Sequence, residues 1–318
     1  MMQILQKHRP SLTIRAGHLA RQLIEKEGLH AQQVDIVPGA AGGPKGIGIQ
    51  GLDQAIFGDF FAQAPQRRTV IGSSIGSWRF ASILAWGAKE GTERLSNLYT
   101  NLSFHKKMSR QEVAHICQGM LIDLIQGQEQ QLVDHPDYHL AVISIKAQHI
   151  FQSDLALPLL ASVAGIIGSN ALGRKHNRLF MQRVISQPSS GQQFKVEDDF
   201  VTHYQSLNRD NAIPWLMASA SIPGVMAAIR DIPDAPKGSY RDGGLIDYHI
   251  DLPFESQGIV LYPHFSDSIT PGWFDKMLKK RKANPENQAR TLLLSPSQEY
   301  LQSLPLERLP DRKDFTLK

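Results

Sequence analysis

Residues Thr69 to Ser77, Thr-Val-Ile-Gly-Ser-Ser-Ile-Gly-Ser, set a Gly-x-Ser-x-Gly pattern directly after a β-branched run, and the apolar, helix-permissive segment Trp78 to Trp86 follows. A strand that turns at once into a helix through such a pattern leaves few architectures open. Gly72 and Gly76 flank the serine because side chains at those places would collide with the turn. Ser74 then stands at a helix N-terminus, where free amides and the helix dipole favour developing negative charge. The pattern points to a nucleophilic serine; by itself it also fits a Gly/Ser turn without chemistry.

The flanking sequence sets the fold class. Ala16, Leu19, Ala20, Leu23 and Ile24 fall at helical spacing, with Gly28 as the stop. Val34 to Val37 reads as a strand running into a Gly-rich loop, and Ile47, Leu52, Ala55 and Ile56 then share a helical face. Thr69 to Ile71 is the next strand, and the Ser74 helix follows it. This alternation predicts an α/β fold with a mostly parallel central sheet flanked by helices. Further on, 92–133 reads as helical, with strands expected at His139 to Ala147, Leu179 to Ile185, Ile259 to Tyr262 and Thr291 to Leu294. Asn211 to Ser221 reads as a helix stopped by Pro223, and 187–196 and 266–290 as loops. No composition break divides the chain, so residues 1–318 are expected to form one domain.

Two more elements carry chemistry. In Ala41-Gly42-Gly43-Pro44-Lys45-Gly46, adjacent glycines between strand and helix leave backbone N–H groups uncovered, suited to a phosphate or an oxyanion. The spacing fits neither a P-loop nor a dinucleotide fingerprint, which weakens the phosphate reading, and the loop by itself also fits a plain strand-to-helix turn. In Tyr240-Arg-Asp242-Gly243-Gly244, a carboxylate precedes two glycines. A buried carboxylate can serve as base to a serine hydroxyl, and the same tripeptide also fits an ordinary Asp-Gly turn.

Taken in order, these three elements resemble the patatin-like phospholipase family, whose motifs are a Gly-Gly-Gly-x-Arg/Lys-Gly loop, Gly-x-Ser-x-Gly and Asp-Gly-Gly/Ala. Ala218-Ser-Ala-Ser-Ile-Pro-Gly-Val225 is similar to a segment such proteins carry shortly before the Asp motif, and the likeness covers about 34–262. The resemblance implies a three-layer patatin-like fold and a serine acyl-ester hydrolase acting on lipids through a Ser74–Asp242 dyad. It implies an oxyanion hole from the amides of Gly42, Gly43 and Ile75, with Lys45, Gly46, Gly72, Gly76, Gly243 and Gly244 in supporting places and no cofactor or metal. An acyltransferase using the same acyl-serine, and a silent lipid- or protein-binding member, are the alternatives. Two departures stand out: Ala41 replaces the first loop glycine, which strains the loop if that position needs positive φ, and Lys45 lacks the arginine fork.

Other features bound the partners. A net charge of +4 over 318 residues is too small to argue for nucleic acid, but is compatible with weak attraction to anionic lipid. Cys117 is the one cysteine, which excludes an internal disulfide. Met1 to Ser11 has no apolar signal-like core, and no stretch reaches membrane-span length; a cytoplasmic protein with at most peripheral membrane contact is expected. His135, Asp137 and His139, and Asp247, His249 and Asp251, read as chance neighbours rather than metal ligands; His249 is also the rival base for a triad. Leu155 to Ile167 reads first as core and second as an apolar lip beside an acyl pocket. Trp273, Phe274, Met277 and Leu278 beside Lys276, Lys279, Lys280 and Arg281 suggest a short basic amphipathic helix, solvated or lying on a membrane.

Overall fold

The computed structural model describes residues 10–105, 107–278 and 280–316. Among these, nine strands form one mixed sheet: β1 (Leu12–Ala16), β2 (Val34–Gly39), β3 (Arg68–Ser73), β4 (Tyr138–Ala147), β5 (Met181–Gln187), β6 (Thr202–Ser206), β7 (Tyr240–Asp242), β8 (Ile259–Pro263) and β9 (Thr291–Pro296). The order is β1-β9-β8-β2-β3-β4-β5-β6, with β7 on β4. The run from β9 to β4 is parallel throughout, while β1 on β9, β5 on β4 and β7 on β4 are antiparallel. Helices flank this sheet: α1 (His18–Glu27), α2 (Pro44–Ile47), α3 (Gln50–Gln54), α4 (Ile75–Trp86), α5 (Ala88–Thr100), α6 (Arg110–Ile125), α7 (Glu129–Val133), α8 (Ala156–Leu172), α9 (Ala212–Ala220) and α10 (Gln298–Ser303). The chain is therefore α/β with a mostly parallel central sheet, as its alternating pattern predicts.

The central strands are covered on both faces, which explains their nearly unbroken apolar runs. Val70 and Val142 point into a core shared with α4, α6 and α9, whereas Ile71, Ala141 and Ile143 point the other way, onto Phe194, Val196, Ile250 and Leu252. Helix α4 is buried from Ile75 to Ala85, so even its charge is internal: Arg79 grips Asp53 of α3 in a two-pronged ion pair, Nε to Oδ2 at 2.8 Å and Nη2 to Oδ1 at 2.5 Å. That pair fixes the helix behind the serine turn.

Several expectations need correction. The helical stretch read across 92–133 is three helices, because Ser109 caps α6 with a reciprocal Glu112 bond and Gly127, at φ 83°, reverses the chain after it. Leu155 to Ile167 is core on one side only: it forms most of α8, Leu159 and Ile166 are buried in a core cluster, and Leu155, Leu157 and Leu160 face outward. The amphipathic helix expected from Trp273 is only a 3-10 turn, Trp273–Met277, in which Asp275 accepts the Gly272 amide at 2.9 Å; Lys279 lies outside the described residues. Among the described residues no helix is long and apolar enough to cross a membrane.

Candidate active site

Strand β3 ends at Ser73 and α4 begins at Ile75, so Ser74 alone makes the turn, with φ 55° and ψ −126°. Two close approaches dictate its glycines. A Cβ on Gly72 would lie 2.4 Å from the Ser77 nitrogen, and one on Gly76 would lie 1.9 Å from the Gly39 carbonyl oxygen. A non-glycine residue in this conformation costs about 1–3 kcal/mol and persists only where neighbours hold it. Ser219 is one such neighbour: its hydroxyl accepts the Ser74 amide at 2.9 Å and donates to the Ile143 carbonyl at 2.5 Å.

The sheet itself delivers Asp242. Strand β4 gives one edge to β5 and the other to β3, whose pairing stops at Ser73 opposite Ile143. From the next residue on, β7 takes over that edge, with Asp242 opposite Ser144. Asp242 thus arrives beside the serine turn by register. Its amide donates to the Ser221 carbonyl at 3.0 Å, so the segment 219–221 holds both Ser74 and Asp242. The two carboxylate oxygens have separate tasks: Oδ1 accepts the Gly244 amide at 2.7 Å, and Oδ2 accepts the Ser74 hydroxyl at 2.9 Å. Burial pushes the Asp242 carboxyl up to about 6, against the Gly244 amide, the Ser74 hydroxyl and the nearby Arg312 and Lys276 charges. An acid so placed is ionised at neutral pH yet basic enough to take a hydroxyl proton.

The Gly-rich loop follows β2 and flanks Ser74. Among the described residues the Gly42 and Gly43 amides have no acceptor, and Ile75 begins α4, where the amide has no partner within the helix. Positive φ falls at Gly43, φ 58°, and not at Ala41. The strain expected at Ala41 is therefore absent: its amide bonds the Tyr248 carbonyl at 2.8 Å, and its methyl sits against Gly244, where a Cβ would approach it to 2.8 Å. Gly42 is required for space, since a Cβ there would come within 2.5 Å of the Phe265 ring. Gly46 and Gly243 stand at similar close approaches, to Ile75 and to the Ile143 carbonyl.

Two cavities meet at Ser74. One, of about 340 Å³, also reaches Asp242, Gly42 and Tyr248 and carries three cations, Lys45, Lys276 and Arg312. The other, of about 330 Å³, is mostly apolar, walled by Trp78, Leu102, Val113, Cys117 and Met226, and shares Arg312 with the first. Lys45 lies 3.6 Å from Asp311, and the Lys276 ammonium sits 3.7 Å over the Tyr248 ring. Burial, with Arg312 and Lys45 beside it, lowers the Lys276 ammonium to about 8. Lys276 was read from the sequence only as part of a surface helix; Arg312, Tyr248 and the role of Ser219 carried no readable signal, because each reaches the site only through the tertiary fold.

The rival residues are engaged elsewhere. His249 lies against Tyr248 and His264, its Nδ1 accepts the Thr270 amide at 3.0 Å, and burial holds the ring well below its ordinary pKa; among the described residues no histidine lines either cavity at Ser74. Asp247 is bound by Arg183 at 2.6 Å, Asp251 accepts from Asn284 and Gln288, and His139 bonds Gln187. Among the described residues no group of three or more His, Cys, Asp or Glu could hold a metal ion. Against known proteins, no protein-family model and no curated protein matches the chain.

Proposed function

We propose that this chain is a serine acyl-ester hydrolase acting on lipids, of the patatin-like phospholipase type in fold and mechanism. One observation carries the reading: the buried Ser74 hydroxyl donates to the buried Asp242 carboxylate at 2.9 Å, with no histidine between them. Asp242 takes the proton as Ser74 Oγ attacks the ester carbonyl. The carbonyl electron pair becomes an oxyanion held by the amides of Gly42, Gly43 and Ile75. Collapse breaks the bond to the alcohol oxygen, which leaves with the proton from Asp242, and an acyl-Ser74 remains. Asp242 then deprotonates a water that attacks the acyl carbon and frees the carboxylic acid and Ser74.

The two cavities support a division of the substrate. The apolar one suits an acyl chain; the cationic one suits an alcohol portion bearing a negative group such as a phosphate. The test is labelling of the purified chain by a fluorophosphonate, beside Ser74→Ala and Asp242→Asn. Labelling that both substitutions abolish supports the reading. Folded wild type that stays unlabelled, with or without vesicles, overturns it.

A further inference from the structure

Helix α8 is apolar on its exposed side. Its inward side takes Ser162 and Asn170 along with Leu159 and Ile166; Asn170 bonds Asp275 at 2.8 Å and Asn177 at 2.9 Å. Its outward side carries Leu157, Leu160, Ala161, Ala164, Gly168 and Leu172, all exposed, at spacings that align them along one face. Leu157 is 79% exposed, Leu160 67% and Leu172 85%. No charged residue occurs anywhere in its 17 residues. A helix bounded by water on that side would place charge there, so the face is built for a covering.

Three features of its surroundings identify the covering. The chain from 155 to 180 contains no acidic residue, and Lys175 and Arg178 are exposed within it. Next to α8 lies the Trp273–Met277 turn, which adds exposed Met277 and half-exposed Trp273. Finally, Val163 of α8 and Trp273 both line the cavity that holds Ser74, so the apolar face runs to the mouth of the site. Protein seated over that mouth would shut out substrate, whereas a bilayer would supply it. We propose that the outward face of α8, with its basic flank, lays this chain on an anionic lipid bilayer with the Ser74 cavity opening toward the acyl layer. The orientation argument rests on the hydrolase reading; the binding itself does not.

The experiment is co-sedimentation of the full chain, as Ser74→Ala so that nothing turns over, with phosphatidylcholine vesicles and with vesicles containing roughly one-third phosphatidylglycerol. Binding is expected to the anionic vesicles and to weaken with salt. Leu157→Gln with Leu160→Gln, made in the same background, is expected to lower the partition coefficient at least about tenfold. In the Ser74 background the same pair is expected to leave melting temperature and turnover of a soluble nitrophenyl butyrate unchanged. Equal vesicle binding by the double variant overturns the proposal, as does failure of the parent to bind. A parent dimer that the double variant dissolves assigns the face to a second copy and likewise overturns it. Loss of the hydrolase reading would show in fluorophosphonate labelling, not in this sedimentation.

Discussion

Gly43 and Ser74 hold the same backbone conformation, φ 58° with ψ −130° and φ 55° with ψ −126°, each as the residue before a helix. They leave neighbouring parallel strands, with Gly39 opposite Gly72. The Gly-rich loop and the serine turn are thus two copies of one local device, and only the second carries a side chain.

Gly43→Ala tests the glycine copy. The added Cβ meets nothing closer than 3.4 Å, so any defect comes from the backbone. The expected outcome is a loss of roughly 1–3 kcal/mol of stability and, by displacing an oxyanion donor, about a 10²-fold lower kcat on a soluble ester. Gly87→Ala is the control: it has φ 79° and open space, far from the chemistry. It is expected to cost similar stability in thermal unfolding while leaving kcat unchanged.

Asp242 sets the pH dependence. Because its carboxyl must be ionised to accept the Ser74 proton, kcat/KM is expected to rise with pH through a midpoint of about 6. Arg312 and Lys276 pull that midpoint down, so Lys276→Met is expected to move it upward and to lower the rate at pH 6. For stability, the folded carboxyl titrates above its unfolded range. Stability is therefore full below about 4 and falls as pH rises to about 6, a loss of ~2–3 kcal/mol that persists at neutral pH. Asp242→Asn is accordingly expected to unfold at a higher temperature than wild type at pH 8 while losing activity.

Ser219→Ala removes the acceptor of the Ser74 amide and the donor to Ile143 without touching substrate. A buried amide left unpaired costs about 1–3 kcal/mol. As a positioning residue, Ser219 is expected to affect kcat while KM stays within about twofold. Threonine, which keeps the hydroxyl, is expected to restore more kcat than alanine. Steady-state kinetics on the three proteins decides it.

Asp53→Ala strands the Arg79 guanidinium inside the molecule, since both side chains are almost wholly buried. Breaking one side of a buried pair costs about 3–5 kcal/mol. Chemical denaturation is expected to show that loss, and Asp53→Ala with Arg79→Met is expected to recover part of it.

The parallel centre of the sheet was legible because its strands alternate with helices and are apolar on both faces, as Val34 to Val37 and Thr69 to Ile71 are. Strands β1, β6 and β7 were not: Leu12–Ala16 and Thr202–Ser206 lie on the sheet's edges with mixed burial, and Tyr240–Asp242 is only three residues long. Periodicity has nothing to act on in such segments. Ser74, Asp242 and the loop glycines were readable because tight turns fix their residue types. Lys276 and Arg312 were not, because a cation can reach a cavity from any loop and leaves no local pattern. The exposed apolar face of α8 was not legible for a related reason: a thirteen-residue, mostly apolar run looks alike whether water, protein or lipid lies on its far side.

Ser74 and Asp242 stand 168 positions apart, and the edge of β4 on which Asp242 pairs is free only because β3 stops short of it. During synthesis the serine turn, its strand and β4 all emerge before Ser219, which braces the turn, and Asp242 have been made. For 168 of its 318 residues the nascent chain therefore carries Ser74 without the carboxylate its hydroxyl donates to. A chain cut anywhere in that interval would lack the Ser74–Asp242 bond altogether, so the long detour between the two residues makes their contact a late event of synthesis.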